Sequence, residues 1–390
     1  MKIKDLKFNE YKLYLTLVYS VWIISIIIFF FLSGVKYGGD TLTYLERAQD
    51  ILKGDFSSIG YKSGFGLILL LSPLVYFAIP LEFFVFFQIA LTALAAGCLY
   101  KISFKFFNKQ SAIICLVLFL FYFPLFFFNF YILTETLFIN TIIISCYLFV
   151  YFKRNYIPLI ILLILFLISI RPNGIIFLFS ILVCILLFLY SYKKYLYLSI
   201  FSLFTLILIY PIIDISNNFI QDLTLIDSIS SKGIIWGYSF QDGAKCSTSC
   251  LSIEWANDNF ENNIIGIFKF ISNNFIDYFK IFLLKIFWLL LRARPYYSDL
   301  HNLYIIFYDI ILYSSFIYGF IKRPKNNFSI NVMLFFILFS IILAGLTFAD
   351  WDGRFSLYFL PLVMVFSSYG ILIFVKKILK MINQKRNNAS

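Results

Sequence analysis

Ten runs of mostly apolar residues occupy 13–33, 82–100, 111–128, 134–152, 156–170, 174–191, 195–213, 302–321, 330–348 and 355–375. Runs of this length and polarity can satisfy their backbone in lipid only as helices. Composition agrees: 62% of the 390 residues are hydrophobic and 13% are charged. A soluble domain carries roughly twice that charged fraction. The abundance of Phe and Tyr also excludes a disordered chain. The expected fold is therefore an all-α integral membrane protein of about ten transmembrane helices.

The charge distribution sets the orientation. With the N-terminus inside and the ten runs alternating, the inner segments carry nineteen Lys and Arg against only Asp5 and Glu10. The outer segments carry the other thirteen basic residues and seventeen acids, and Asp309 lies within a run. Cytoplasmic loops collect Lys and Arg in this way. Both termini are expected in the cytoplasm, and the net charge of +12 reads as topology. Anionic lipid headgroups are the expected partners of the basic loops. No nucleic-acid module is present, so no nucleic-acid partner is expected. The first run, with no small-residue cleavage site after it, reads as a retained anchor.

Residues 64–80 form an eleventh apolar stretch. Pro73 interrupts it, and counting it as a span would place Lys101, Lys105 and Lys109 outside. It is expected to dip into the outer leaflet and return.

Two outer loops are long, 34–81 and 214–301, and the rest of the chain is a single polytopic domain with short connections. Chemistry is expected in the long loops. In the first, Thr43–Lys53 is amphipathic, with Tyr44, Leu45, Ala48, Ile51 and Leu52 on one face and Gly54 at its end. In the second, 264–291 reads as a surface-lying helix that delivers Arg292 and Arg294 to the membrane interface. Cys246 and Cys250, in KCSTSC, are expected to form a short-loop disulfide in an oxidising compartment. The one histidine, His301, lies far from them, so a zinc site is not expected. Cys98, Cys115, Cys146 and Cys184 fall in the runs and read as small buried residues.

Several polar residues at the outer ends of the runs need explaining. Asp40 follows Gly38 and Gly39 and is either a helix N-cap or a general base facing a lipid-borne substrate. Glu135 caps the returning helix, or serves as metal ligand, second acid or orienter of a sugar hydroxyl. Arg171, in IRPNG, snorkels from a structural turn or contacts phosphate or sugar. Arg292, Arg294 and Tyr296 anchor an aromatic belt or bind a phosphate, which the guanidinium fork grips bidentately. Arg354 lies in the turn before the last run. Asp309 is placed to pair with an Arg or Tyr of another span.

Together these pieces resemble the GT-C superfamily of polyprenyl-phosphate-sugar glycosyltransferases. The likeness is to the branch of protein O-mannosyltransferases and bacterial aminoarabinose transferases (glycosyltransferase family 39-like). It rests on Asp40-x3-Tyr44-x3-Ala48 with Gly54, on Thr134-Glu135, on Arg171-Pro172-Asn173-Gly174, on Arg354, and on their order across nearly the whole chain. Tyr61-Lys62-Ser63-Gly64 stands where the family often has Lys or Tyr before prolines, which are absent here. Thr41 replaces the acid that often follows the first-loop Asp, which leaves metal dependence open.

The resemblance implies a transferase that moves a sugar from a polyprenyl-phosphate donor to an acceptor hydroxyl. Asp40 would be the base, and Glu135 would orient the acceptor or hold a divalent cation with Asp40. Lys62, Arg171, Arg292, Arg294, Tyr296 and Arg354 would bind the donor phosphate. Glycan, lipid and protein acceptors are all compatible. The implied location is a bacterial inner membrane with the active site extracytoplasmic. A lipid-linked polysaccharide polymerase or flippase is the alternative.

Overall fold

The computed structural model describes residues 3–55, 64–197, 199, 202, 264–294, 296–324, 327–347 and 353–387. Among them are helices and no strand, as expected of an all-α membrane protein. Lys62, Cys246, Cys250 and most of the run 195–213 lie outside the described residues.

Among the described residues, six helices are long and apolar enough to cross a membrane: Lys12–Ser33, Glu82–Phe106, Gly174–Ser191, Asp299–Ile321, Phe328–Leu346 and Leu360–Gln384. The run 111–128 differs from expectation. It forms two helices, α5 (Lys109–Leu120) and α6 (Phe123–Phe128), parted by an extended Tyr122. Pro124 explains the break, since proline suits a first helical turn and not a helix interior. Three further runs give shorter helices: α3 (Phe65–Tyr76), α7 (Thr134–Val150) and α8 (Ile157–Ile170). The 12 residues of α3 reach only about 18 Å, short of the ~30 Å hydrocarbon layer.

The described chain sorts into two compact units. The first contains α1 (Ile3–Ser33), α2 (Thr41–Leu52), α3, α4 (Glu82–Phe106), α5 to α8, residues 310–329 and α15 (Leu360–Asn387). Its central element is α7, with fourteen of 17 residues buried. By contrast α1 exposes Leu13, Leu17, Phe31 and Leu32, the pattern of a helix solvated by lipid. Close helix approach in this unit uses small residues. A side chain on Gly319 would strike the Phe366 backbone, and one on Gly370 would strike that of Ser315. The Ser367 hydroxyl donates to the Leu312 carbonyl at 2.8 Å in the same crossing.

Polar groups within the apolar helices pair with one another. Asn140 Nδ2 donates to Thr92 Oγ1 at 2.8 Å, and Thr92 Oγ1 donates to Asn129 Oδ1 at 2.5 Å. Gln88 Nε2 donates to the Tyr131 carbonyl at 2.9 Å. These side chains pin the turn between α6 and α7, which carries Glu135 to its place. The four cysteines expected to be buried are buried and unbridged.

The second unit contains residues 176–309 and 330–359. Its described helices are α9 (Gly174–Ser191), α10 (Ile264–Asn273), α11 (Phe275–Leu291), the start of α12 (Asp299–Ile321), most of α13 (Phe328–Leu346) and α14 (Arg354–Leu357). The single helix expected over 264–291 is two, divided at Asn274, whose Nδ2 donates to the Phe270 carbonyl at 3.0 Å. Tyr278, Ile281, Lys285 and Leu289 form the buried stripe of α11. The Lys280–Asp277 pair lies on the exposed side at 2.9 Å.

Candidate functional site

Helix α2 forms as the amphipathic pattern predicts. Tyr44 and Ala48 are buried, Leu45 and Ile51 are half-buried, and Leu52 is exposed. Gly54 follows the helix at φ +82°, the left-handed conformation that terminates helices at low cost for glycine. Asp40 occupies the N-cap position and does not cap: its side chain makes no cap hydrogen bond. The carboxylate is exposed and makes no hydrogen bond or ion pair to any described residue.

Glu135 and Arg171 come together from two helix ends. Glu135 lies in the first turn of α7, and Arg171 is the C-cap of α8. An acid at a helix start and a base at a helix end each complement the local dipole. Arg171 Nη2 meets Glu135 Oε1 at 2.5 Å, and Arg171 Nε donates to Thr134 Oγ1 at 2.6 Å. Glu135 is fully buried and Arg171 is 14% exposed. The N-cap position of α7 is taken by Leu133, so Glu135 lies within the first turn and not at the cap. A buried carboxylate needs a partner of opposite charge, and Arg171 supplies it. The turn behind Arg171 is tight, with the Gly174 N–H donating to the Arg171 carbonyl at 2.9 Å.

Tyr44 ties Asp40 to this pair. Burial raises its phenol above the ordinary value of 10.0; Arg171 and Thr134 pull it down, and Asp40 and Glu135 push it up. All four groups therefore act on one phenol. The Tyr44 ring is seated by Gly64, which has φ +107° and whose missing Cβ would lie 2.5 Å from the ring edge. Glycine meets both demands at that position.

A divalent cation fits this donor set poorly. Mg2+ or Ca2+ draws several oxygen ligands around itself. Here one carboxylate is already engaged by a guanidinium, and no group of three His, Cys, Asp or Glu gathers among the described residues.

In the second unit, Arg292 and Arg294 are buried inside the protein, 4% and 0% exposed. Arg292 ends α11 at φ +53° and forms an ion pair with Asp309, its Nε donating to Oδ2 at 3.2 Å. Asp309 thus finds an arginine, as its place within an apolar run suggested. Arg294 Nη1 donates to the Trp288 and Ala293 carbonyls, each at 2.9 Å. Asn302 accepts from the Arg294 amide and donates to its carbonyl, both at 2.9 Å. Tyr296 is half-buried beside Tyr297, and Arg354 is half-buried at the start of α14. Asp40, Glu135 and Arg171 thus belong to the first unit, and Arg292, Arg294, Tyr296 and Arg354 to the second.

Five contributors were missed from the sequence. Thr41 drew attention only as a replacement for an acid, yet it is wholly buried and doubly hydrogen-bonded. Gln88, Thr92, Asn129 and Asn140 carried a usable signal, since polar residues inside apolar runs are costly and seldom idle. No family model, curated protein or solved structure matches the chain.

Proposed function

We propose that this protein is a ten-helix, GT-C-like glycosyltransferase that uses a polyprenyl-phosphate sugar. It moves the sugar to an acceptor hydroxyl on the extracytoplasmic face of a bacterial inner membrane, with both termini cytoplasmic. The observation that carries the reading is Asp40: an exposed carboxylate with no hydrogen bond or ion pair to any described residue, whose charge acts on the same Tyr44 phenol as Arg171 and Glu135.

In this reading Asp40 takes the proton from the acceptor hydroxyl as its oxygen attacks the anomeric carbon. The bond from that carbon to the phosphate oxygen breaks, and the phosphate leaves with the electron pair. Arg171, with Lys62 as second cation, steadies the growing negative charge. Displacement without a covalent enzyme intermediate inverts the anomeric centre. Glu135 holds Arg171 in position, so its part is to orient the phosphate contact. Arg292 and Arg294, engaged by Asp309 and by backbone carbonyls, are assigned to holding their own unit together. Glycan, lipid and protein hydroxyls all satisfy the acceptor chemistry.

The test is transfer from a panel of radiolabelled polyprenyl-phosphate sugars by purified protein, wild type beside Asp40→Asn, with and without chelator. Sugar transfer that depends on Asp40 is the expected result. Tight binding of a lipid-linked oligosaccharide with no turnover of any donor would replace this reading with a polymerase or flippase.

A further inference from the structure

A single side-chain hydroxyl ties the residue next to Asp40 to the strip before α7. Thr41 Oγ1 donates to the Ile132 carbonyl at 3.0 Å and accepts the Gly38 N–H at 2.8 Å. Thr41 is 0% exposed. The link therefore joins the residue after Asp40 to a residue two positions before Thr134. A short backbone seam runs alongside it. The Lys36 N–H donates to the Phe130 carbonyl at 2.8 Å, and the Ile132 N–H donates to the Lys36 carbonyl at 3.3 Å. On the far side of this seam, Gln88 fixes the Tyr131 carbonyl. Residues 130–132 are thus bonded both to the interior of the unit and to the Asp40 loop.

We propose that Thr41 is a positioning residue, whose two-way hydrogen bond sets Asp40 in register with the Arg171–Glu135 pair. The proposal rests on the reading of Asp40 as the base. Geometry argues for it. Thr41 is adjacent to Asp40, and Ile132 reaches Thr134 through two peptide units and Glu135 through three, so the path from the Asp40 backbone to the guanidinium runs through backbone and the short side chains of Thr41 and Thr134. Side-chain packing alone does not account for the arrangement, because the hydroxyl is used as donor and acceptor at once. Valine has the shape of threonine without either function, and serine keeps both functions without the methyl.

The experiment compares full-length wild type, Thr41→Val and Thr41→Ser in detergent. It reads kcat and KM for sugar transfer, and amide hydrogen exchange at Lys36 and Gly38. In Thr41→Val, kcat should fall about 30- to 100-fold with donor KM within about threefold, the size of effect expected from misplacing a reacting group by about 1 Å. Exchange at Gly38 should accelerate. Thr41→Ser should restore both kcat and protection. Wild-type kcat in a folded Thr41→Val, or equal loss in both variants, would overturn the proposal. If wild type transfers no sugar, the reading of Asp40 fails on its own account. Exchange then decides the latch separately: protection kept by Ser and lost by Val supports it, and equal protection in all three removes it. If Thr41→Val does not fold, Thr41→Ser decides alone, with wild-type protection expected and unprotected Gly38 overturning the latch.

Discussion

Each unit of this protein contains an arginine paired with a carboxylate, and the two pairs are built for different ends. Arg292 and Asp309 are both about 4% exposed, and the neighbouring Arg294 spends donors on carbonyls of its own segment. Arg171 and Glu135 join two helix ends, the arginine is partly open, and Asp40, exposed and without a partner among the described residues, acts with them on the Tyr44 phenol. A sealed pair stabilises by avoiding a buried lone charge. A half-open pair keeps charge available to something outside. Counting charged residues would not separate the two; the exposure of each partner does.

Asp40→Asn should be the sharpest break in the comparison. Loss of general-base catalysis costs about 10²- to 10⁴-fold, and thermal stability in detergent should not change, because the carboxylate holds nothing in place. A transfer rate equal to wild type would abolish the base assignment.

Asp309→Ala should do the reverse. Stranding Arg292 in a buried site should destabilise the fold by about 3–5 kcal/mol, whereas replacing both partners with Met and Leu should cost little. Thermal melts of the single and double variants settle this, and equal melting of the two would remove the sealed-pair reading.

Glu135→Gln sharpens the contrast from the other side. It keeps the shape and removes the charge that orients Arg171, so a charge-assisted bond of about 1.5–3 kcal/mol weakens. Donor KM should rise more than stability falls. A change in stability alone would make the Arg171–Glu135 pair structural, like its counterpart.

Tyr44 gives a pH test. Its phenol is held above 10.0 in the fold, so the native state keeps the proton longer than the unfolded chain does. The stability this contributes is present below pH 10 and declines as pH rises through the raised value. Tyr44→Phe should flatten that alkaline decline, followed by melting between pH 9 and 12.

The smallest effect belongs to Lys280→Ala. Its partner is Asp277, and both side chains are largely in solvent. Exposed pairs of this kind contribute about 0.3–0.5 kcal/mol. A shift well beyond that, measured by the same melts, would mean that α11 leans on its exposed face.

The two regions also differ in how far they could be read in advance. Helix α2, its buried Tyr44 and Ala48 and its stop at Gly54 follow from periodicity and one glycine, both local properties. The nearness of Glu135 and Arg171 was suggested by their places at the ends of runs, though their direct contact was not. In the second unit the sequence did not show how deeply Arg292 and Arg294 are buried. Their position beside two tyrosines looked interfacial, and Asp309 and a pair of carbonyls bond them within the protein. The unbroken run 111–128 concealed two helices because Pro124 starts one as readily as it interrupts another. The polar residues of α4 and α7 were plain in the sequence, but their partners lie some forty residues apart.

What the sequence determined by itself is the solvent of the fold and the local elements within it. Runs of apolar residues in lipid must close their own backbone bonds, and that requirement depends on residue type and length alone. Tertiary structure decided which charges are spent. Whether an arginine is sealed or open, whether Asp40 caps its helix, and whether Thr41 grips Ile132 each depend on which distant group arrives within about 3 Å. Electrostatic and hydrogen-bond energies vary steeply over that distance, and no local pattern records it.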